Sequence, residues 1–336
     1  MDKKILKRFH HALSNHREMI LELLRDDSAP KNVYLGGKST DDVYKVLTDI
    51  KKALEKMDSG EFGKCTVCNG EVETELLEFD YTSNICLEHY SEEQIRALET
   101  DLELASKVQR QLLPCCLPNL SKIDIAVHTE SVRIVGGDYY DFFVNKHGDQ
   151  GFIIADVMGK GLPASLLMAN LQASLRILGP QYLSPHHILN RLNNLFRNNL
   201  KLIRFISIFI GIIDTHSQRL TFSNAGHHPP ILWKNSEGTI QLLNPNGPAI
   251  GLAHDGNFKS NSINWESKDL MLLYTDGLIE LRNEEGIEFG ETRLVNFVKT
   301  HPKESATSFI QDLQTTIKKY TKKLHDDLSV IALRFY

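Results

Sequence analysis

Two sets of residues in this 336-residue chain have the types and spacing to do chemistry. The first set is acidic. Aspartates stand in glycine-bearing turns beside apolar runs: Gly136-Gly137-Asp138, Asp156-Val157-Met158-Gly159-Lys160-Gly161, Asp276-Gly277 and His325-Asp326-Asp327. One Asp-Gly turn is an ordinary hairpin loop. Four, each directly before or after an apolar strand, gather carboxylates where strands end, and hard cations such as Mg²⁺ and Mn²⁺ take oxygen ligands of that kind. The second set is soft. Cys65-x-x-Cys68 is followed after 17 residues by Cys86-x-x-His89. Two short chelating turns at that separation can surround one zinc, with Gly63 and Asn69-Gly70 supplying the tight turns. The alternative is a pair of buried structural thiols with His89 on the surface.

The elements that must position these groups follow from periodicity. Short apolar runs predict strands near 122–129, 139–146, 151–157, 205–213, 218–223, 229–234, 269–274 and 328–335, and the longer patterns predict helices near 162–178, 184–200 and 303–319. Pro163 suits a first helical turn behind Lys160 and Gly161. Strands joined directly to strands predict antiparallel sheets with helices on a face, an α+β layering. Ser91 to Leu113 reads as one helix, capped by Ser91 with Glu93 close behind and ended by Pro114 and Pro118. Its apolar residues Ile95, Leu98, Leu102, Ala105, Val108 and Leu112 form an a/d-like seam. Such a seam packs either on its own domain or against a second copy, a homodimer through residues 91–113.

Composition bounds the partners. Lys and Arg number 38 against 43 Asp and Glu, a net charge of −5, which argues against broad electrostatic binding to nucleic acid. The longest apolar run, Phe205 to Ile213, is half of what a membrane-crossing helix needs, and no apolar segment follows the basic N-terminus. The expectation is a cytoplasmic chain with no membrane partner. Five cysteines, an odd number, make a poor disulfide framework; Cys115 and Cys116 are expected as small apolar filler.

Residues 48 to 90, with the run Asp58-Ser59-Gly60-Glu61-Phe62-Gly63 before the cysteines, resemble the zinc-finger end of the DksA/TraR family. His89 stands where that family usually has a fourth cysteine. The resemblance implies one structural Zn²⁺ on Cys65, Cys68, Cys86 and His89. Asp26 and Asp27 would sit at the tip of a helical hairpin, where that family carries its acidic residues.

A second resemblance covers residues 95 to 336. Val135-Gly136-Gly137-Asp138-Tyr139-Tyr140-Asp141, Ile154-Ala155-Asp156-Val157-Met158-Gly159, Asn224-Ala225-Gly226-His227, Leu273-Tyr274-Thr275-Asp276-Gly277 and His325-Asp326-Asp327-Leu328-Ser329 occur in this order. They resemble the SpoIIE/RsbU branch of the metal-dependent type 2C protein phosphatases. The resemblance implies an α-β-β-α sandwich with two Mn²⁺ or Mg²⁺ at one edge. Asp156 would bridge both ions and the Val157 carbonyl would bind one. Asp276 and Asp326, ahead of Asp327, would hold the other, while Asp138 would act through water. Paired ions activate a shared water for in-line attack on a phosphoserine or phosphothreonine ester. Arg133, five residues before Asp138, would hold the phosphate; His227 and His325 are either general acids or structural. The implied organisation is a zinc-finger hairpin over 1–90, a linker helix over 91–114 placed to switch the metal site, and a phosphatase domain over 115–336. The implied substrate is a phosphorylated regulatory protein such as a STAS-type anti-sigma-factor antagonist. Two other readings are an RNA polymerase-binding transcription modulator, which a polymerase pull-down tests, and an inactive phosphatase-fold scaffold, which the full set of carboxylates disfavours.

Overall fold

The run Ile206 to Ile213 is buried along its whole length, as a strand covered on both faces must be. The strands around it follow the same logic. The computed structural model describes residues 3–25, 40–89, 92–120, 122–159, 161–196, 205–252, 257–301 and 305–336. In chain order the elements are α1 (Lys3–Arg25), α2 (Thr40–Asp58), α3 (Thr74–Phe79), a 3-10 turn at Leu87–His89 and α4 (Glu92–Leu112). Then come β1 (Ile123–Glu130), β2 (Asp138–Val144), β3 (Gln150–Val157), α5 (Leu162–Gln181), α6 (Pro185–Phe196), β4 (Ile206–Asp214) and β5 (Arg219–Ala225). The chain continues through β6 (Ile231–Lys234), β7 (Thr239–Leu242), β8 (Asn261–Asn264), β9 (Leu270–Tyr274), α7 (Asp276–Ile279), α8 (Gly290–Thr300), α9 (Ala306–Tyr320) and β10 (Leu328–Phe335). Among the described residues the chain divides into two compact units, one up to Thr100 and one from Asp101 onward. Asp26, Asp27, Ser91 and Lys160 lie outside the described residues.

The second unit holds two five-stranded sheets, ordered β1-β10-β9-β6-β7 and β2-β3-β4-β5-β8, with every pairing antiparallel. Alternation along each strand decides what each face covers. On β10, Ile331, Leu333 and Phe335 join Met271 and Leu273 of β9 and Phe152, Ile154, Phe209 and Phe222 of the other sheet in one core between the sheets. The alternate residues Leu328, Val330 and Ala332 pack instead with Leu294, Phe297, Phe309 and Leu313 of α8 and α9. The outer face of the second sheet is covered by α5 and α6, which bury Met168, Leu171, Leu175, Ile188 and Leu192. The result is the mixed α+β layering expected, two antiparallel sheets between helices.

Strands β7 and β8 and helices α3, α7 and α8 have no counterpart among the predicted segments. Cys115 and Cys116 are exposed rather than buried as filler. On α4, Leu102 and Ala105 are half-buried, while Leu104 and Val108 are exposed.

One ion pair inside this unit has a large expected effect. Lys234 Nζ on β6 donates to Asp269 Oδ2 at 2.8 Å, and the Asp269 side chain has no solvent exposure. Asp269 also accepts from the backbone N–H of Asn235 and Glu266. Removing one member of a buried pair strands the other charge, at a cost of about 3–5 kcal/mol. Asp269→Ala should therefore lower the unfolding free energy by that amount in a urea titration.

The first unit has its own small core. Phe9, Leu13 and Ile20 of α1 meet Ile50, Ala53 and Met57 of α2, and Phe62, Cys65, Val72, Leu77 and Cys86 complete the cluster. Its two cysteines are therefore core residues as well as candidate ligands.

Candidate active site

The inward-facing rows of four strands end in polar residues at the same end of the sandwich. Tyr140 on β2 and Ile154 on β3 belong to the inter-sheet core; two residues along each strand come Asp138 and Asp156. These two are direct partners across the β2–β3 ladder, which brings their side chains to one face about 5 Å apart at Cβ. Ser207 of β4 is the partner of Asp156 on its other side. On the opposite sheet, Leu273 is followed two residues on by Thr275, and Ile331 is preceded by Ser329 and then Asp327. A period of two thus delivers carboxylates and hydroxyls from both sheets to one edge.

Hydrogen bonds tie the two sheets together there. Thr275 Oγ1 donates to Asp138 Oδ2 at 2.8 Å and accepts from Ser329 N at 2.9 Å. Ser329 Oγ is 2.9 Å from Thr129 Oγ1. Asp276 opens α7 immediately after Thr275. A Cβ on Gly277 would lie 2.0 Å from the Asp327 carbonyl oxygen and 3.3 Å from that of Asp326. Only glycine lets the Asp276 turn and the Asp326 turn approach so closely. A Cβ on Gly137 would lie 2.9 Å from the Val157 carbonyl oxygen, so glycine there leaves that carbonyl uncovered.

Electrostatics shows that the carboxylates share one neighbourhood. Burial pushes Asp156 up to about 8, reinforced by the charges of Asp276, Asp326, Asp327 and Glu280. Asp138 is also raised well above the ordinary carboxylate range, by burial and then by Asp156, against the hydrogen bonds from Ser329 and Thr275. The charges that dominate at Asp156 are all carboxylates, and a bound divalent cation reverses that balance. The donors are hard oxygens, which fit Mg²⁺ or Mn²⁺.

The adjacent aspartates differ. Asp327 accepts from Val132 N through Oδ1 at 2.9 Å and from Gly137 N through Oδ2 at 2.8 Å. It fastens the 132–137 loop and is buried. Asp326 is more open and lines a 170 Å³ recess with His325, Gly277 and Glu280. Arg133 and Asp138 line one cavity of about 600 Å³. The Arg133 guanidinium passes 3.5 Å from where a Gly161 Cβ would stand, at the start of α5. His227 is a different case. It is buried, its Nδ1 lies 2.9 Å from Ser207 Oγ, and burial followed by His228 lowers it to about 3. Its ring braces Ser207, the neighbour of Asp156 on β4.

The last turns of α4 reach the same edge. Gln109 Nε2 donates to the Gly136 carbonyl at 2.6 Å, and Gly136 N donates to Gln109 Oε1 at 3.0 Å. Thr275, Ser329, Ser207, Glu280 and Gln109 were not among the sequence candidates. The signal for the first three was available: each continues an inward-facing apolar row by one or two steps. Glu280 and Gln109 leave no such trace.

Thr275 fixes the orientation of the Asp138 carboxylate through its hydrogen bond. Groups that orient ligands typically change metal affinity or activity by about 10–100-fold when lost. Thr275→Val keeps the shape but removes both the donor to Asp138 and the acceptor of the buried Ser329 N–H. It should raise the Mn²⁺ concentration for half-maximal activity within that range, and the unpaired N–H should cost about 1–3 kcal/mol of stability, read as a lower unfolding temperature.

In the first unit, Cys65, Cys68, Cys86 and His89 converge, their ligand atoms within 4.8 Å of one another. Cys68 Sγ and Cys86 Sγ are 3.7 Å apart, close to the separation of two sulfurs on one tetrahedral zinc with bonds of about 2.3 Å. Cys65 N donates to the Gly70 carbonyl, and Asn69 adopts φ of 58° to close the turn. Backbone N–H groups of Val67 and Cys86 point at Cys65 Sγ, each at 3.4 Å. Burial pushes the Cys65 thiol up, yet N–H donors from Cys86, Cys68 and Val67 outweigh it and hold the thiol at about 6. Burial and the neighbouring sulfurs push Cys86 up to about 11. A cluster that favours one thiolate and resists the next is one that a soft cation completes, and the donor set fits zinc. Glu73, absent from the sequence candidates, accepts from Leu87 N through both carboxylate oxygens, at 3.0 and 3.1 Å, and so fixes the turn that carries His89.

The comparisons with known proteins bear on the second unit. The chain is 28% identical over 238 residues to the phosphoserine phosphatase RsbU of Bacillus subtilis (strain 168), covering 70% of each protein. It is 29% identical over 229 residues to the phosphoserine phosphatase RsbP of the same organism, covering 67% of this chain and 54% of that one. The chain thus spans about half of RsbP. Among solved structures, the SiaA-PP2C domain of Pseudomonas aeruginosa superposes with a TM-score of 0.62 at 21% identity, over 72% of this chain and 98% of that domain. That likeness shows the fold, the two-sheet PP2C sandwich. The family model for stage II sporulation protein E (SpoIIE) matches residues 146–336, more than half of the sequence and every site-bearing turn after β2, so the chain belongs to the SpoIIE family.

Proposed function

We propose that the second unit is a protein-serine/threonine phosphatase, a metal-dependent hydrolase of phosphoserine and phosphothreonine esters on a regulatory protein. The observation that carries this reading is the convergence of Asp138 and Asp156 from one sheet with the Asp276 and Asp326 turns of the other. The similarity to RsbU and RsbP, both phosphoserine phosphatases, supports it. Asp156, the Val157 carbonyl, Asp276 and Asp326 would hold two Mn²⁺ or Mg²⁺, with Asp138 engaged through water. When bound, the ions supply an activated water and neutralise charge on the attacking and leaving oxygens. The chain does the rest. Asp327 holds the 132–137 loop so that Arg133 faces the cavity, where its planar guanidinium suits a phosphate. Thr275 and Ser329 hold the Asp138 carboxylate, and Ser207 with His227 backs Asp156.

The proposed substrate is a phosphorylated STAS-type anti-sigma-factor antagonist. The proposed organisation is a DksA/TraR-like zinc hairpin over 1–90, a linker helix over 91–114 and a phosphatase domain over 115–336. One zinc would sit on Cys65, Cys68, Cys86 and His89. The linker helix would regulate the site through the Gln109–Gly136 pair, and its exposed Leu104 and Val108 would pair with a second copy. Among the described residues no helix is long and apolar enough to cross a membrane; the proposed location is the cytoplasm. The test is Mn²⁺-dependent release of phosphate from a phosphoserine peptide by the full chain. Release unaffected by removing divalent ions would sink the reading.

A further inference from the structure

Cys115 and Cys116 belong to neither metal site. They follow Pro114, between the end of α4 and the start of β1. Both are exposed, and their Sγ atoms lie 3.5 Å apart. The Cys116 thiol is pushed up by its hydrogen bond to Cys115 and by that neighbour's charge. By contrast, Cys65 and Cys86 are buried.

We propose that Cys115 and Cys116 form a redox modification site, closing to a vicinal disulfide by exchange with a low-molecular-weight disulfide. The thiolate of one cysteine attacks a sulfur of the external disulfide. That S–S bond breaks, one thiol leaves after taking up a proton, and a mixed disulfide remains on the protein. The neighbouring thiolate then attacks the protein-side sulfur, forms the Sγ–Sγ bond and expels the second small thiol. The protein loses two electrons and two protons, and the external disulfide is reduced to two thiols.

Geometry favours ring closure over a second adduct. The attacking sulfur is already 3.5 Å from its target, and a tethered nucleophile at that range outcompetes one from solution. Adjacent Cα atoms are only about 3.8 Å apart across a trans peptide, shorter than the roughly 4.4–6.8 Å usual for disulfides. The ring is therefore strained as well as exposed, and such disulfides are the readily reduced, switching kind. Its location gives the change a place to act. The carbonyl of Leu112, three residues before Cys115, accepts from Arg176 at 3.2 Å and from Gln172 at 3.5 Å, both on α5.

The test needs only the full-length protein. After incubation with oxidised glutathione, free thiols are alkylated and the protein is digested with trypsin. The peptide Gln111–Lys122 contains these two cysteines and no other. It should appear unalkylated and lighter by two hydrogen atoms than the reduced peptide, and dithiothreitol should restore it. In Cys115→Ser, which cannot close the ring, Cys116 should instead carry glutathione. A wild-type peptide recovered with two alkyl groups, or with glutathione on both cysteines, would overturn the proposal.

Discussion

Asp156→Asn should lose more than about 10³-fold of the Mn²⁺-dependent phosphatase rate, the upper end of what deleting a single electrostatic stabiliser costs. The same substitution should make the metal-free protein more stable. Both follow from one geometry. Asp156 faces Asp138 across the β2–β3 ladder and feels the charges of Asp276, Asp326, Asp327 and Glu280. Without a cation, burial and those charges force a proton onto Asp156 near neutral pH, which costs folding free energy because the unfolded carboxyl would be ionised, and an amide removes that cost. With a cation, that carboxylate is the group both ions would share. Asparagine keeps the shape and the inward orientation, so the packing between the sheets is untouched. Each kcal/mol of that cost removed should raise the melting temperature of the metal-free variant by about 2–4 °C. Saturating Mn²⁺ should raise the wild-type melting temperature by mass action, about 2.7 kcal/mol at a hundredfold excess over Kd, and leave the variant where it was. An aspartate with a purely structural role behaves in the opposite way, lowering stability when replaced. Equal phosphate release by the two proteins, or a variant that melts lower when metal-free, would remove Asp156 from the centre of the mechanism.

What was legible in the sequence divides along burial. Strands β1, β3, β4, β9 and β10 are apolar because they lie between layers, and their inner rows could be read as such. Strands β7 and β8, Thr-Ile-Gln-Leu and Asn-Ser-Ile-Asn, sit at the outer edges of their sheets. At four residues each they carry one or two inward apolar residues, Ile240 and Leu242 in β7 and Ile263 in β8, too few to establish a period. Helix α8 buries only Leu294, Phe297 and Val298, a stripe too short to stand out beside the Phe289-Gly290 turn. The carboxylates were legible because turns isolate them from the apolar runs. The hydroxyls that position them continue the same inward-facing rows, but nothing in the sequence marks Thr275 and Ser329 as meeting across two sheets. The different surroundings of Asp326 and Asp327 are likewise invisible in sequence. Only the N–H groups of Val132 and Gly137 reveal that Asp327 is committed to the loop. For α4, sequence offered a seam; Leu102 and Ala105 are half-buried and Val108 exposed, and the Gln109–Gly136 hydrogen bonds that tie its last turns to the second unit leave no trace in that pattern.

Removing zinc should unfold the first unit while the second keeps its structure. The small core of the first unit runs through the proposed zinc site: Cys65 and Cys86 pack with Phe9, Ile50, Met57 and Phe62. Structural zinc contributes about 10–16 kcal/mol to small modules of this kind, as much as the roughly 5–15 kcal/mol that separates a whole domain from its unfolded state. A core of this size has no comparable reserve once the ion is gone. Substituting a cysteine does not isolate the effect, because Cys86→Ser also places a hydroxyl in an apolar cluster. Chelation does isolate it. A high-affinity zinc chelator should extract close to one zinc per chain, and amide protons of Ile50, Ala53 and Met57 should then exchange at rates approaching those of an unfolded helix. Amides of β3, β4 and β10 should keep their protection, since their core between the sheets contains no cysteine. Adding Zn²⁺ back should restore the helix signal, whereas Mg²⁺ should not, because a set of three thiolates and an imidazole is too soft for it. If α2 exchanges equally slowly with and without the chelator, the four side chains are ordinary core and surface groups, and the proposed zinc hairpin loses its physical basis.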